Sequence, residues 1–197
     1  MTESRRAWPL ATALVAALAA LPLVLLWPAL RHLVESRMLL HMLLEFPALF
    51  AAGWAAHGLL AWRRGLRVSA RLALLDWGGL SGASVASCVA VFWMIPLALD
   101  ASLLLAPVAL AKYASWWLAG LLWAGSWRRM QPEVLLFFVG NLCWMSATAG
   151  MLYMDAAQRL CANYLLGEQR STGIGLVLLA LLLGALALRR VMRHGTV

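Results

Sequence analysis

The sequence predicts an all-α polytopic membrane helical bundle of six transmembrane helices, with the N- and C-termini both on the cytoplasmic side. Three observations lead there. Of 197 residues, 64% are hydrophobic and only 12% are charged, too little polar material to cover the surface of a soluble domain. The charges gather in short islands, and the apolar runs between them approach the ~20 residues that cross a bilayer. The basic residues are shared unequally between alternate loops, which sets orientation.

The apolar runs place helices at 8–30, 36–62, 74–97, 106–126, 133–156 and 172–189, in one integral membrane domain over 1–197. The first run, Trp8 to Leu30, follows Arg5 and Arg6 as a signal peptide's apolar region would. It is too long for one and ends in Trp27-Pro28 without a small-residue cleavage site, so it reads as a retained anchor helix. Pro47 interrupts the second helix and frees the carbonyl of Leu43, which a neighbouring helix must then satisfy. The third helix carries Gly78 and Gly82 four residues apart, continued by Ala86 and Ala90, a small-residue stripe for close helix packing. Segment 98–105 reads either as an interfacial turn or as part of a longer helix. In 157–170, Leu160, Tyr164 and Leu165 alternate with Gln158, Arg159 and Glu168, as in an amphipathic helix lying on the outer surface. Cys161 would then be open to a membrane-impermeant thiol reagent.

The N-terminus, loop 63–71, Arg128-Arg129 and the C-terminal tail hold eleven basic residues, against five on the alternate side (Arg31, Arg37, Lys112, Arg159 and Arg170). The positive-inside rule puts the eleven in the cytoplasm, and a six-helix count keeps that alternation consistent. Trp8, Trp27, Trp62, Trp77, Trp116, Trp117 and Trp127 fall near span ends, as interfacial tryptophans do. The net charge of +8 therefore reports membrane orientation, with lipid rather than nucleic acid as the partner. Cys88, Cys143 and Cys161 show no Cys-x-x-Cys spacing, disulfide framework or zinc knuckle.

Ionisable residues inside a membrane are costly and need a reason. Met38, His41, Met42 and Glu45 fall within an arc of about 100° on the second helix, at 100° per residue. Thioether and imidazole together suit copper, with Cu(I) favoured by the soft sulfur. On the fifth helix Met151, Met154 and Asp155 share a similar arc, continued inward by Trp144 and Thr148. All of these lie in the predicted outer half of the membrane, with Met94 and Asp100 nearby and His32, Glu35 and Lys112 in or beside the outer loops. The candidate metal ligands are therefore His41, Met38, Met42, Met151, Met154 and Asp155, with Glu45 orienting His41 through its other ring nitrogen. This arrangement requires the second and fifth helices to pack together with His41 facing Met151, Met154 or Asp155. The same residues also read as hydrogen-bonded polar groups among space-filling methionines. His57 lies roughly 24 Å further along the same helix, too far to join, so a bis-histidine haem finds no matched pair; His–Met ligation by His41 and Met154 stays open. His194 belongs to the basic tail.

The stretch His41-Met-Leu-Leu-Glu-Phe-Pro47-Ala-Leu-Phe-Ala-Ala-Gly53 resembles the second helix of the caa3-type cytochrome oxidase assembly factors called CtaG. The segment Asn163-Tyr-Leu-Leu-Gly167-Glu168-Gln169, leading into Gly173-Ile-Gly175, is similar to that family's Asp-Gln-Gln approach to a late helix. The likeness covers about a quarter of the chain. Arg37 stands where the family pattern has a histidine, Lys112 and Tyr113 stand where histidines are expected near the fourth helix, and Gly167-Glu168-Gln169 replaces Asp-Gln-Gln. The resemblance implies a multi-pass protein of the cell inner (plasma) membrane that handles copper during cytochrome c oxidase assembly, with oxidase subunits of the respiratory chain or a copper donor as partners. The departures imply either a divergent member using methionines or a relative without the activity.

A non-metal structural or accessory subunit of a respiratory membrane complex is the alternative. A proton-coupled carrier using Glu45 and Asp155 would want an inverted repeat, and the sequence carries none. No nucleophile–base pair or metalloprotease spacing points to an enzyme.

Overall fold

The computed structural model describes residues 4–64 and 77–194. Arg67, Arg71 and the start of the predicted third span lie outside them, as do the side chains of Trp8, Trp62, Trp77 and His194. Among the described residues the chain is helical, without a strand.

Proline sets half of the helix starts among the described residues. Helix α1 (Ser4–Ala19) is followed by the short α2 (Leu21–Leu25), with Pro22 in its first turn, and by α3 (Pro28–Glu35), with Pro28 at its start. The predicted anchor over 8–30 is therefore broken twice. Helix α4 (Met38–Leu40) runs through a π turn, His41–Glu45, into α5 (Phe46–Arg64). Pro47 explains the wide turn: its ring crowds the carbonyl of Leu43 and it offers no N–H, so the ladder opens at that turn.

A 3₁₀ turn, Trp77–Gly79, precedes α6 (Leu80–Trp93). Gly78 has φ +60° and lies in this turn, so it is not part of the packed stripe; Gly82, Ala86 and Ala90 are, and all three are buried. Helix α7 (Pro96–Leu104) is bent by 78° from α6 at Pro96, so segment 98–105 is helical and angled up to Leu104, with Leu105 extended. Helix α8 (Ala106–Ser126), α9 (Pro132–Asp155) and α10 (Leu166–His194) complete the bundle. Residues 156–165 form an irregular loop. The predicted amphipathic helix over 157–170 is thus irregular up to residue 165, and α10 already begins at Leu166 within it.

Two glycines lock α5 against α8. A methyl at Gly53 would strike the carbonyl of Trp117, and one at Gly120 the carbonyl of Phe50. Phe46 also stacks on Trp116 with ring centroids 4.9 Å apart. These contacts rise together along both helices, so α5 and α8 run parallel. Helix α6 crosses α8 in the opposite sense, with Gly82 against Leu122 and the Trp93 indole donating to Ser115 Oγ (2.8 Å). Helices α9 and α10 form an antiparallel pair around Gly150 and Gly173. Helix α10, not α9, packs on α4 and the π turn, where Leu43 fits over Gly175.

Three helices are long and apolar enough to cross a membrane: Met38–Ala61, Pro132–Asp155 and Leu166–Arg193; the bent α6–α7 pair makes a fourth if it counts as one span. Helix α1 is only 16 residues long, and α8 carries Lys112, Tyr113 and three tryptophans. The chain is a helical membrane protein.

Candidate metal centre

One end of the bundle gathers a buried polar group from four distant stretches. Glu35 closes α3, His41 and Glu45 bound the π turn, Lys112 lies on the second turn of α8, and Tyr164 comes from the loop 156–165. Relative exposures are 0% for His41 and Lys112, 1% for Glu45, 3% for Tyr164 and 8% for Glu35. None of these groups can reach water freely, so each must be served by the others.

Lys112 sits at the centre. Its Nζ is 2.7 Å from Glu35 Oε1, 2.7 Å from Glu45 Oε1 and 2.8 Å from His41 Nε2. An ammonium has only donors, so Nε2 accepts and His41 carries its proton on Nδ1. Nδ1–H then donates to the Tyr164 hydroxyl (2.6 Å), which donates to the backbone carbonyl of Glu35 (3.0 Å). Arg31 donates through Nε to Glu35 Oε2 (2.8 Å) and through Nη2 to the Ser102 carbonyl (2.9 Å). Two carboxylates thus face two cations around a neutral imidazole. A neutral residue at 112 would leave the carboxylates without their central cation, a loss on the order of 3–5 kcal/mol.

Glu45 is the least satisfied member. Its Oε1 is ion-paired with Lys112, but neither carboxylate oxygen receives a well-directed hydrogen bond, and Oε2 stands 3.7 Å from His41 Nε2. Glu45 therefore lies on the Nε2 side of the imidazole. The expected role of orienting His41 through the other nitrogen belongs to Tyr164 instead.

Donor atoms of Glu35, His41 and Glu45 lie within 4.8 Å of one another, so this buried trio can hold a metal ion. Carboxylate and imidazole donors suit divalent ions of the copper, zinc, iron and manganese class. Met38 and Met42 are buried in the adjoining core. The contribution expected from the fifth helix does not assemble. Met151 is 47% exposed on the outside of α9 and Asp155 is exposed; Met154 packs against Gly173 of α10. Trp144 also points outward, at 73% exposure. Because α10 rather than α9 packs on the π turn, Met151 is left on the outside of the bundle and Met154 against its partner helix.

The remaining polar residues shape the surroundings. Gln169 clips the loop to α9, accepting from Leu160 N (2.8 Å) and donating to the Tyr153 carbonyl (3.2 Å). Asp100 accepts from Ala162 N (2.8 Å) and Asn163 Nδ2 (2.9 Å). This loop carries Cys161, which is 1% exposed; the side chain expected at the surface is turned inward beneath it. Burial, reinforced by the Asp100 carboxylate, pushes its thiol up to about 12. Cys88, in the middle of α6, faces outward. His32 is exposed, and His57 packs against Gly125 far from the site.

Sequence reasoning underweighted Glu35, Lys112 and Tyr164. One signal was available: Lys112 is the single lysine in the chain, beside 15 arginines, and stands inside an apolar run. Compared with known proteins, the chain matches no family model, no curated protein and no solved structure.

Proposed function

We propose that this chain is a metal-handling protein of the cell inner membrane that serves cytochrome c oxidase assembly, with copper as its cargo at Glu35, His41 and Glu45. The observation that carries this reading is the convergence of two buried carboxylates and an unprotonated imidazole nitrogen on one point. Among divalent ions such a donor set binds Cu²⁺ most tightly. Further support comes from where the resembling segments lie: His41, on one, hydrogen-bonds Tyr164, on the other. Lys112 takes the place of an expected histidine and still reaches the same imidazole.

We also infer six crossings with both termini in the cytoplasm. The eleven-to-five division of basic residues supports this. So does the sense of the helices: α4–α5, α8 and α10 lead away from the metal centre, whereas α1, α6 and α9 run towards it.

The test is copper analysis of the purified full chain. About one copper per chain is expected in wild type, retained in Met151→Leu and lost in His41→Ala and Glu45→Gln. A second reading has its own observation: the Lys112 ammonium already lies within 2.8 Å of all three donors, as in an ion-pair cluster fastening the helices of an accessory subunit. Wild-type protein that takes up no copper under loading would favour that reading.

A further inference from the structure

The arginines and the lysine of this chain are used differently. Arg31 meets the buried group from its edge, donating to Glu35, while the lone lysine among 15 arginines is fully enclosed at its centre. A guanidinium is a planar fork suited to one carboxylate, whereas an ammonium is a compact charge on a flexible stem. Three acceptors on three sides need the compact charge, and Nζ lies 2.7–2.8 Å from each of them. The same three side chains are the ones that would bind a metal, each offering a ligand atom within 4.8 Å of the others. Their spacing is therefore maintained by a cation that belongs to the chain. The fit is incomplete at Glu45, whose buried carboxylate has the ammonium's charge but no directed N–H. A divalent ion, which imposes no N–H directions, answers that deficit better.

We propose that Lys112 is a tethered counter-cation that holds the metal's place. Its ammonium keeps the two carboxylates and the imidazole together in the absence of metal and competes directly with an ion that arrives. Metal uptake then exchanges one cation for another: the ion takes Glu35, His41 Nε2 and Glu45, and the ammonium leaves all three. Binding is weakened by the cost of expelling the lysine, and the returning lysine promotes release, as a transient carrier needs. This inference rests on the metal-handling reading of the same trio.

The experiment uses the full-length protein in lipid nanodiscs, labelled with ¹⁵N-lysine, and Zn²⁺ as a redox-silent probe. One lysine yields one side-chain ammonium signal. In wild type that signal should shift or vanish as Zn²⁺ saturates at one ion per chain. Calorimetry should show Lys112→Met and Lys112→Gln binding Zn²⁺ at least tenfold more tightly than wild type, with His41→Ala added to either variant reversing the gain. Equal affinity in wild type and both variants, with an unmoved lysine signal, would overturn the counter-cation role while leaving metal binding intact. Zn²⁺ uptake by the variants through His41, but none by wild type, would uphold the counter-cation role and overturn the metal-carrying reading. If neither variant folds, the wild-type signal decides: no change under saturating Zn²⁺ overturns the inference.

Discussion

A single residue illustrates how burial overrides exposure expected from composition. Cys161 sits between Leu160 and Ala162 in a polar loop, yet its side chain is enclosed because Asp100 and Gln169 tie the backbone down on either side. The thiol is pushed above its ordinary 9.0 to about 12, first by burial and then by Asp100. The folded value exceeds the unfolded one, so the neutral thiol contributes stability below the ordinary thiol range, and that contribution is lost as pH rises towards 12. In a Cys88→Ser, Cys143→Ser background, alkylation of Cys161 by an impermeant reagent should stay slow and flat across pH 8 to 10. A rate rising with a midpoint near the ordinary value would place the thiol in water. Lys112 and Glu45 follow the same logic from the polar side. Glu45 has His41 one turn away, but the position of Lys112 announces no partner, because Glu35 lies 77 residues from it and His41 lies 71.

Among the elements, those legible in the sequence are the ones whose limits are set locally. Helices α8 and α9 begin and end within a residue of expectation, because Pro107 and Pro132 mark their first turns and the apolar runs between are unbroken. The third span was expected to end at 97 and helix α6 ends at Trp93; the stretch after it, open between a turn and a longer helix, is a separate helix turned by 78° at Pro96. The amphipathic stretch after α9 failed because Tyr164 turns inward to His41 rather than lying in an apolar interface. Which helix meets which is a tertiary choice, and here backbone proximity makes it. Gly53 and Gly120 admit a carbonyl each, bringing the helix of His41 to the helix of Lys112. Gly58, on the same α5, meets nothing within 4 Å. Thermal unfolding in detergent should therefore separate them. Gly53→Ala and Gly120→Ala should each cost about 1–3 kcal/mol or more, since backbone cannot yield as a flexible side chain does. Gly58→Ala should be neutral or stabilising by about 0.5–1 kcal/mol, the ordinary gain of alanine in a helix. Equal effects at the two α5 positions would contradict the close crossing.

At the scale of the whole molecule, the candidate metal site and the membrane orientation are one question. Lys112 and Tyr164 lie 71 and 123 residues from His41, and they meet it because α4–α5, α8 and α10 all begin near the same end of the bundle. The Trp117 indole donates to the Ala19 carbonyl (3.2 Å), and the Tyr113 hydroxyl approaches the Leu25 carbonyl (3.4 Å), so α1 and α2 also climb towards that end. Alternation through an even number of crossings returns the C-terminus to the side of the N-terminus. The charges supply the sign. Arg128, Arg129, Arg189, Arg190 and Arg193 lie at the end away from the centre, and Arg190 stacks over the Trp127 ring at 3.7 Å, an arrangement suited to the cytoplasmic headgroup layer. On the proposed orientation the candidate metal site lies at the outer side. Reporter fusions test this directly: at Arg64 and Arg128 they should read cytoplasmic, and at Gly167 external. An external reading at Arg128 would break the alternation and turn the metal centre to the cytoplasm. A five-crossing chain would instead leave the N-terminus opposite the arginine-rich end of α10, and a fusion at the N-terminus distinguishes the two.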